Sequence, residues 1–461
     1  MSRLTREKKS AYGGTDFTTG PIMPELVVFF IPFLFSFLLN SLYNTVDTII
    51  IGKFVGSSGI VAVSMGGKML NLFTIVGTAF AGGGQILISQ LSGAKKKDDV
   101  QKTIGTLFST LFVISVVLAV ILIACSGLFL TWLNTPQESF EDARSYLIIT
   151  SAGLPLMFGY NAVSAVLRGR GDSKNPLKYI AVAAAFNVIG DLVFILCFHL
   201  GAIGTAIATV MGQGISLIFS VVQLYRHRKE FDFDFRLVSF KINREKLSAI
   251  TKLGFPLALR SFFICITLVI LSGYINLLGL AEAAAYSVGE KILTLANIFV
   301  YSANQSVAGM IGQNYGAQKY DRIPKIIKSA MLITLSTGIV MSIVGVIWPN
   351  AIFSCFTSDT AVIAYARTFM IIAIPNFIIA AIQDPFDGFV SGMGKTGFSM
   401  LGGILDGVAL RLTFTYLFAY ALGMGLNGFF LANALSRLGP LVVDLAVFAV
   451  FSRRHLRNIL Q

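Results

Sequence analysis

The 461-residue chain is 55% hydrophobic and only 13% charged, where a soluble domain carries about 25% charged residues. A soluble core of this size cannot hide so much apolar surface, so a water-filled surround is excluded and a bilayer is implied. The net charge is +13, while four scattered cysteines (Cys125, Cys197, Cys265, Cys355) and three histidines (His199, His227, His455) form neither a disulfide framework nor a metal-binding pattern.

In chain order, residues 1–23 make a polar, basic tail with no small-residue cleavage site after the apolar run that follows it, so that run is an uncleaved first span. About 20 mostly apolar residues cross a bilayer as a helix. Six such runs follow at 24–50, 60–88, 104–132, 144–167, 177–199 and 202–224. A long polar stretch at 225–247 reads as a charged tether. Six more runs lie at 248–275, 283–312, 326–350, 361–390, 398–421 and 425–451, and a basic tail closes the chain at 452–461. The expected division is thus a first lobe over 24–224, a linker over 225–247 and a second lobe over 248–451. The expected fold class is an all-α membrane protein with twelve transmembrane helices in two parallel six-helix repeats.

The loops orient the spans, because Lys and Arg collect on the cytoplasmic side. Of the 36 basic residues, 28 fall in the tails and even-numbered loops: Arg3, Arg6, Lys8 and Lys9 first, then Lys95–Lys97 and Lys102, and so on to Arg453, Arg454 and Arg457. The odd loops hold a single cation, Lys53. Both termini are therefore expected in the cytosol, and topology accounts for the positive charge without nucleic acid.

The two lobes repeat at an offset of 223 residues. QLSGAKKKDDVQKTI from Gln90 aligns with QNYGAQKYDRIPKII from Gln313, AVSMGGK from Ala62 with AYSVGEK from Ala285, and Ala143-Arg144 with Ala366-Arg367. Six is an even number of spans, so the repeats are parallel, an arrangement that places substrate between halves that rock against each other. No phosphate-binding Gly-x-x-x-x-Gly-Lys-Ser/Thr loop and no nucleophile–base set is found. Energy is expected from an ion gradient or from a separate protein, and no enzyme activity is expected.

Four motifs in this setting, LYNTVDTIIIGKFVG from Leu42, LRGRGDSKNP from Leu167, FNVIGDLVFI from Phe186 and the FTSD turn from Phe356, give the chain its resemblance to bacterial multidrug and toxic compound extrusion (MATE) transporters. The resemblance covers nearly the whole length. It implies secondary antiport that exports cationic or amphipathic small molecules in exchange for H⁺ or Na⁺, with no cofactor. The alternative is a lipid-linked oligosaccharide flippase of the same superfamily.

Ionisable residues inside a bilayer are costly and therefore functional candidates. Asp47, Asp191, Asp384, Asp387 and Asp406 all break the repeat, standing against Ile270, Phe414, Asn161, Ser164 and Ala183. Asn187 lies four residues before Asp191 and shares its helix face. The resemblance places Asp47, Asn187 and Asp191 in a first-lobe ion-coupling site, where Na⁺ is the only metal expected. Substrate binding is assigned to Asp384, Asp387, Asp406 and Arg260, with a second reading in which Arg260 pairs with a carboxylate such as Asp384 or Asp406. Arg411, Arg437 and Asp444 are expected to form internal pairs. The expected partners are small organic cations and the lipid bilayer of the cell membrane. The chain is expected to act as a monomer.

Overall fold

The computed structural model describes residues 14–455; the tail cations Arg3, Arg6, Lys8, Lys9 and Arg457 lie outside the described residues. In the first part of the chain the helices are α1 (Ile22–Phe54), α2 (Ser57–Gly93), α3 (Lys97–Ala124), α4 (Ser126–Trp132), α5 (Gln137–Ala152), α6 (Leu154–Gly169), α7 (Lys174–Leu192) and α8 (Gly201–Arg226). The second part holds α9 (Arg244–Asn276), α10 (Leu280–Gly316), α11 (Ile323–Ile347), α12 (Pro349–Ser354), α13 (Thr360–Ile363), α14 (Ala366–Gly392), α15 (Thr396–Ile404), α16 (Arg411–Thr415), α17 (Leu426–Ser436) and α18 (Leu438–His455). Among the described residues, ten helical stretches are long and apolar enough to cross a membrane, and α5 with α6, bent by 45°, makes an eleventh. The twelfth, α10, is 37 residues long but carries Asn297, Asn304 and Gln305, which lower its hydropathy. It can do so because much of its second half is buried within protein.

The repeat is written into the backbone. Helices α2 and α10 are both 37 residues long, α1 and α9 both 33. Left-handed backbone recurs at matched positions: Gly56 (φ 90°) with Gly279 (φ 138°), Lys95 (φ 57°) with Gln318 (φ 59°), and Gly171 (φ 85°) with Gly394 (φ 77°). Glycine at two of these pairs meets the conformation without the Cβ penalty. A π-helical stretch, Val193–Cys197, extends α7, and its repeat mate is the π-helical Tyr416–Ala421.

The described chain forms two compact units, one built on Ile31–Phe255 and the other taking Thr18–Phe30 with the residues from Pro256 onward. The partition falls inside α9, not in the linker ahead of it. The core of the first unit is a band of Ile104, Leu107, Leu111, Leu147, Phe158 and their neighbours. That of the second gathers Phe353, Phe369, Phe429 and Phe430. Within the second unit, α14 packs against α10, α11, α17 and α18. Pro385 in α14 has no N–H, so the Ala381 carbonyl loses its helical donor. Thr334 of α11 replaces it, donating to that carbonyl at 2.6 Å, and α14 runs on unbroken.

The linker is not a free tether. Phe231 and Phe233 are 1% and 2% exposed. Phe233 stacks on Phe108 of α3 at 6.3 Å, and Phe240 meets the same ring edge-on at 6.0 Å. Asp232 takes ion pairs from Arg170 at 3.0 Å and Lys97 at 3.2 Å. The Ser239 hydroxyl and the Arg236 N–H, both donating to Asp234, hold that carboxyl below its ordinary range.

Candidate functional site

In the first unit, α1 delivers Asp47 to Asp191 of α7, and Asn187 lies one helical turn before Asp191 on the same helix. Asp47, Asn187 and Asp191 are 7%, 3% and 0% exposed. The Asp47 carboxyl lies within interaction range of that of Asp191, with Thr205 of α8 also acting on Asp191. Asn187 donates to the Thr209 hydroxyl of α8 at 3.3 Å. Among the described residues no hydrogen bond of good geometry closes on either oxygen of Asp191, Asp47 Oδ1 or Asn187 Oδ1, and the neighbouring Thr205 hydroxyl is likewise without a geometric partner. Each such buried, unsatisfied polar atom costs about 1–3 kcal/mol, and four of them around two carboxyls form a site rich in acceptors and poor in donors. That chemistry fits a proton shared between the carboxyls or a small hard cation such as Na⁺, which takes oxygen ligands. Beside it lies a cavity of about 10 Å³ lined by Tyr43, Ala183, Asn187, Thr209 and Gln213, room for about one water-sized occupant. The close approach of α7 and α8 that makes this geometry rests on Gly212: a Cβ there would stand 2.9 Å from the Ala183 carbonyl.

The second unit is built differently. Arg260 of α9 pairs with Asp387 of α14 at 2.5 Å. Asn304 of α10 donates to the same Asp387 oxygen at 2.8 Å and to the Asp384 carbonyl at 3.1 Å. Arg437, between α17 and α18, pairs with Asp384 at 3.2 Å. Gln383 donates to Asp444 at 3.1 Å. A π-helical stretch, Leu405–Leu410, carries Asp406 and leads into Arg411. The looser turn brings these two residues, five apart, onto one face, where they pair at 2.9 Å, and Ser436 donates to the same Asp406 oxygen at 2.5 Å. Asn433 donates to Glu290 at 2.6 Å.

The three carboxylates assigned to cargo are therefore each engaged by an arginine. Arg260 is paired, as the second reading had it, but the partner is Asp387 and neither Asp384 nor Asp406. Spacing along one chain does not reveal which helix lies opposite. Arg411 and Arg437 form the expected internal pairs, with Asp406 and Asp384, whereas Asp444 takes a hydrogen bond from Gln383 and, among the described residues, no ion pair. Sequence reasoning passed over Asn304, Asn433 and Thr205, whose repeat mates are Ala81, Val210 and Gly428. The test that singled out the carboxylates, a polar residue in one lobe that is not repeated at the matching position of the other, would have found them had it included uncharged side chains.

Comparison with known proteins agrees with this architecture. The MatE family model matches residues 32–193 and again 256–417, one match per repeat, and the chain belongs to this family of multi-pass membrane transporters. It is 26% identical over 77% of its length to the probable multidrug resistance protein YoeA of Bacillus subtilis, covering 78% of that protein. It is also 26% identical to the probable multidrug resistance protein YpnP of the same organism, over 88% of this chain and 91% of that one. Among solved structures, a MOP superfamily transporter from Pyrococcus furiosus, described as having a binding pocket of reverse polarity, superposes with a TM-score of 0.88 at 18% identity, covering 97% of this chain and 98% of that one.

Proposed function

We propose that the chain is a secondary active multidrug exporter of the cell membrane, which expels amphipathic small molecules, organic cations among them, in exchange for H⁺ or Na⁺. The observation that carries the coupling step is the Asp47–Asp191 contact. Two buried carboxyls in reach of each other, with no cation among the described residues beside them, repel unless a proton or metal cation joins them. Occupancy of such a pair changes with the ion supplied from the more accessible side. It drives a conformational step if the ion binds the two end states with different affinity.

The cargo reading draws on the named relatives, both multidrug resistance proteins. It draws less on charge than the sequence suggested, since Asp384, Asp387 and Asp406 spend their charge on Arg437, Arg260 and Arg411. The same pairing removes the free positive lining that a pyrophosphate-bearing flippase substrate would need. Orientation follows the loop charges, with both termini in the cytosol, and a monomer holds all the proposed parts.

The test is efflux of ethidium and of norfloxacin from proteoliposomes under an imposed proton gradient and, separately, a sodium gradient. Transport driven by one gradient and collapsed by the matching ionophore supports antiport. Equal efflux with no gradient, or none with either, would overturn it.

A further inference from the structure

We propose that the linker turn around Leu237 is a membrane-surface anchor, seated at the lipid headgroups with its aliphatic side chains in the acyl boundary and its basic flanks on anionic phospholipid. Residues Leu237–Phe240 form a single 3₁₀ turn. Its two leading side chains are the most exposed aliphatics of the linker: Leu237 is 91% exposed and Val238 79%. The opposite side of the turn is fixed to α3. Ser109 of α3 donates to the Phe240 carbonyl at 2.5 Å, and the Asn243 N–H donates to the Thr106 hydroxyl at 3.1 Å. At Gly105 a Cβ would collide with the Ser239 carbonyl, so this glycine lets the turn lie flat on the helix.

The attachment point gives the depth. Gly105 to Ser109 lie eight to twelve residues beyond Lys97, the start of α3, or roughly 12–18 Å along the axis at ~1.5 Å per residue. Charged residues of α3 end at Lys102, and from Ile104 to Ala124 the helix carries none. The turn therefore sits where α3 passes from its charged end into its apolar length, the level of the headgroup and acyl boundary. Arg236, whose side chain is 82% exposed, and Lys241, also exposed, bracket the two aliphatic residues. Apolar residues flanked by cations at this level match the pattern of interfacial anchors, and a negatively charged leaflet attracts such cations within a Debye length.

The experiment places tryptophan at position 237 in a chain carrying W132F and W348F, reconstituted in vesicles of phosphatidylcholine with phosphatidylglycerol. Each lipid is brominated in turn near the top of its acyl chain, and iodide is present on both sides in parallel samples. The expected result is at least twofold stronger quenching by bromolipid than by iodide. Quenching should be stronger from brominated phosphatidylglycerol than from brominated phosphatidylcholine, and R236Q with K241Q should remove that preference. Stronger quenching by iodide would return the turn to water, and quenching by neither would mean that protein covers it; either result overturns the anchor. Equal quenching by the two lipids overturns the anionic part. If L237W fails to elute as a single folded species, V238W serves in the same way.

Discussion

Arg260 and Asp387 close an ion pair at 2.5 Å between α9 and α14, with Asn304 donating to the same carboxylate oxygen at 2.8 Å. Asp387 is 4% exposed at its side chain and Arg260 23%, so the two ends are unequal. Removing the arginine strands a buried carboxylate, at a cost of about 3 kcal/mol; removing the carboxylate leaves a less buried guanidinium that still has Asp384 and Asp444 within electrostatic reach. Arg260→Met is therefore expected to lower the thermal unfolding midpoint more than Asp387→Asn, and the double variant R260M/D387L to recover most of the loss. A double variant no more stable than R260M would show that the pair does not hold these helices.

The Thr334 hydroxyl occupies the carbonyl that Pro385 leaves free. Thr334→Val keeps the shape and removes the donor, leaving the Ala381 carbonyl buried and unsatisfied, at a cost of about 1–2 kcal/mol. Restoring the backbone donor with P385A should then recover stability in the T334V background. If T334V alone unfolds at the wild-type midpoint in detergent, the bond carries no net stability.

Twelve spans and the repeat were legible because a bilayer demands long apolar runs and a repeated fold demands repeated backbone. The pairing of charges was not: Asp384, Asp387 and Asp406 stood out by position, but the arginine opposite each was set by which helices pack together. The linker was misread for a related reason. Its cations dominated the composition, and the alternating FDFDF from Phe231 passed as polar, although Phe231 and Phe233 are buried while Asp232 pairs with Arg170.

That packing makes the linker testable in its own right. Gly105 faces the Ser239 carbonyl with no room for a methyl group, so Gly105→Ala must push the turn off α3 and break the Ser109 and Thr106 contacts. Limited proteolysis in detergent should cut G105A between residues 228 and 243 at least several-fold faster than wild type, as local opening is released. Gly67→Ala, where a Cβ meets nothing within 4 Å, is the matched control. Equal cleavage in all three proteins would mean that the linker is held elsewhere.

The coupling assignment stands or falls on Asp47. Asp47→Asn keeps the size of the side chain and adds a donor facing Asp191, so the neutral variant can bond where two carboxyls repelled. Its unfolding midpoint is expected to match or exceed that of wild type, which separates a transport defect from a folding one. Gradient-driven efflux is expected to fall at least roughly tenfold, since an ion that no longer distinguishes the two end states supplies no coupling energy. Asp191→Asn should behave alike, and the double variant should be no worse than either single, as the proposed single binding event shared by the two residues requires. Asn187→Ala, which removes one oxygen of the proposed ion site and leaves both carboxyls, should weaken sodium dependence more than proton dependence. Wild-type efflux by a well-expressed D47N protein would take Asp47 out of the mechanism and leave the cluster as a packing feature of α1, α7 and α8.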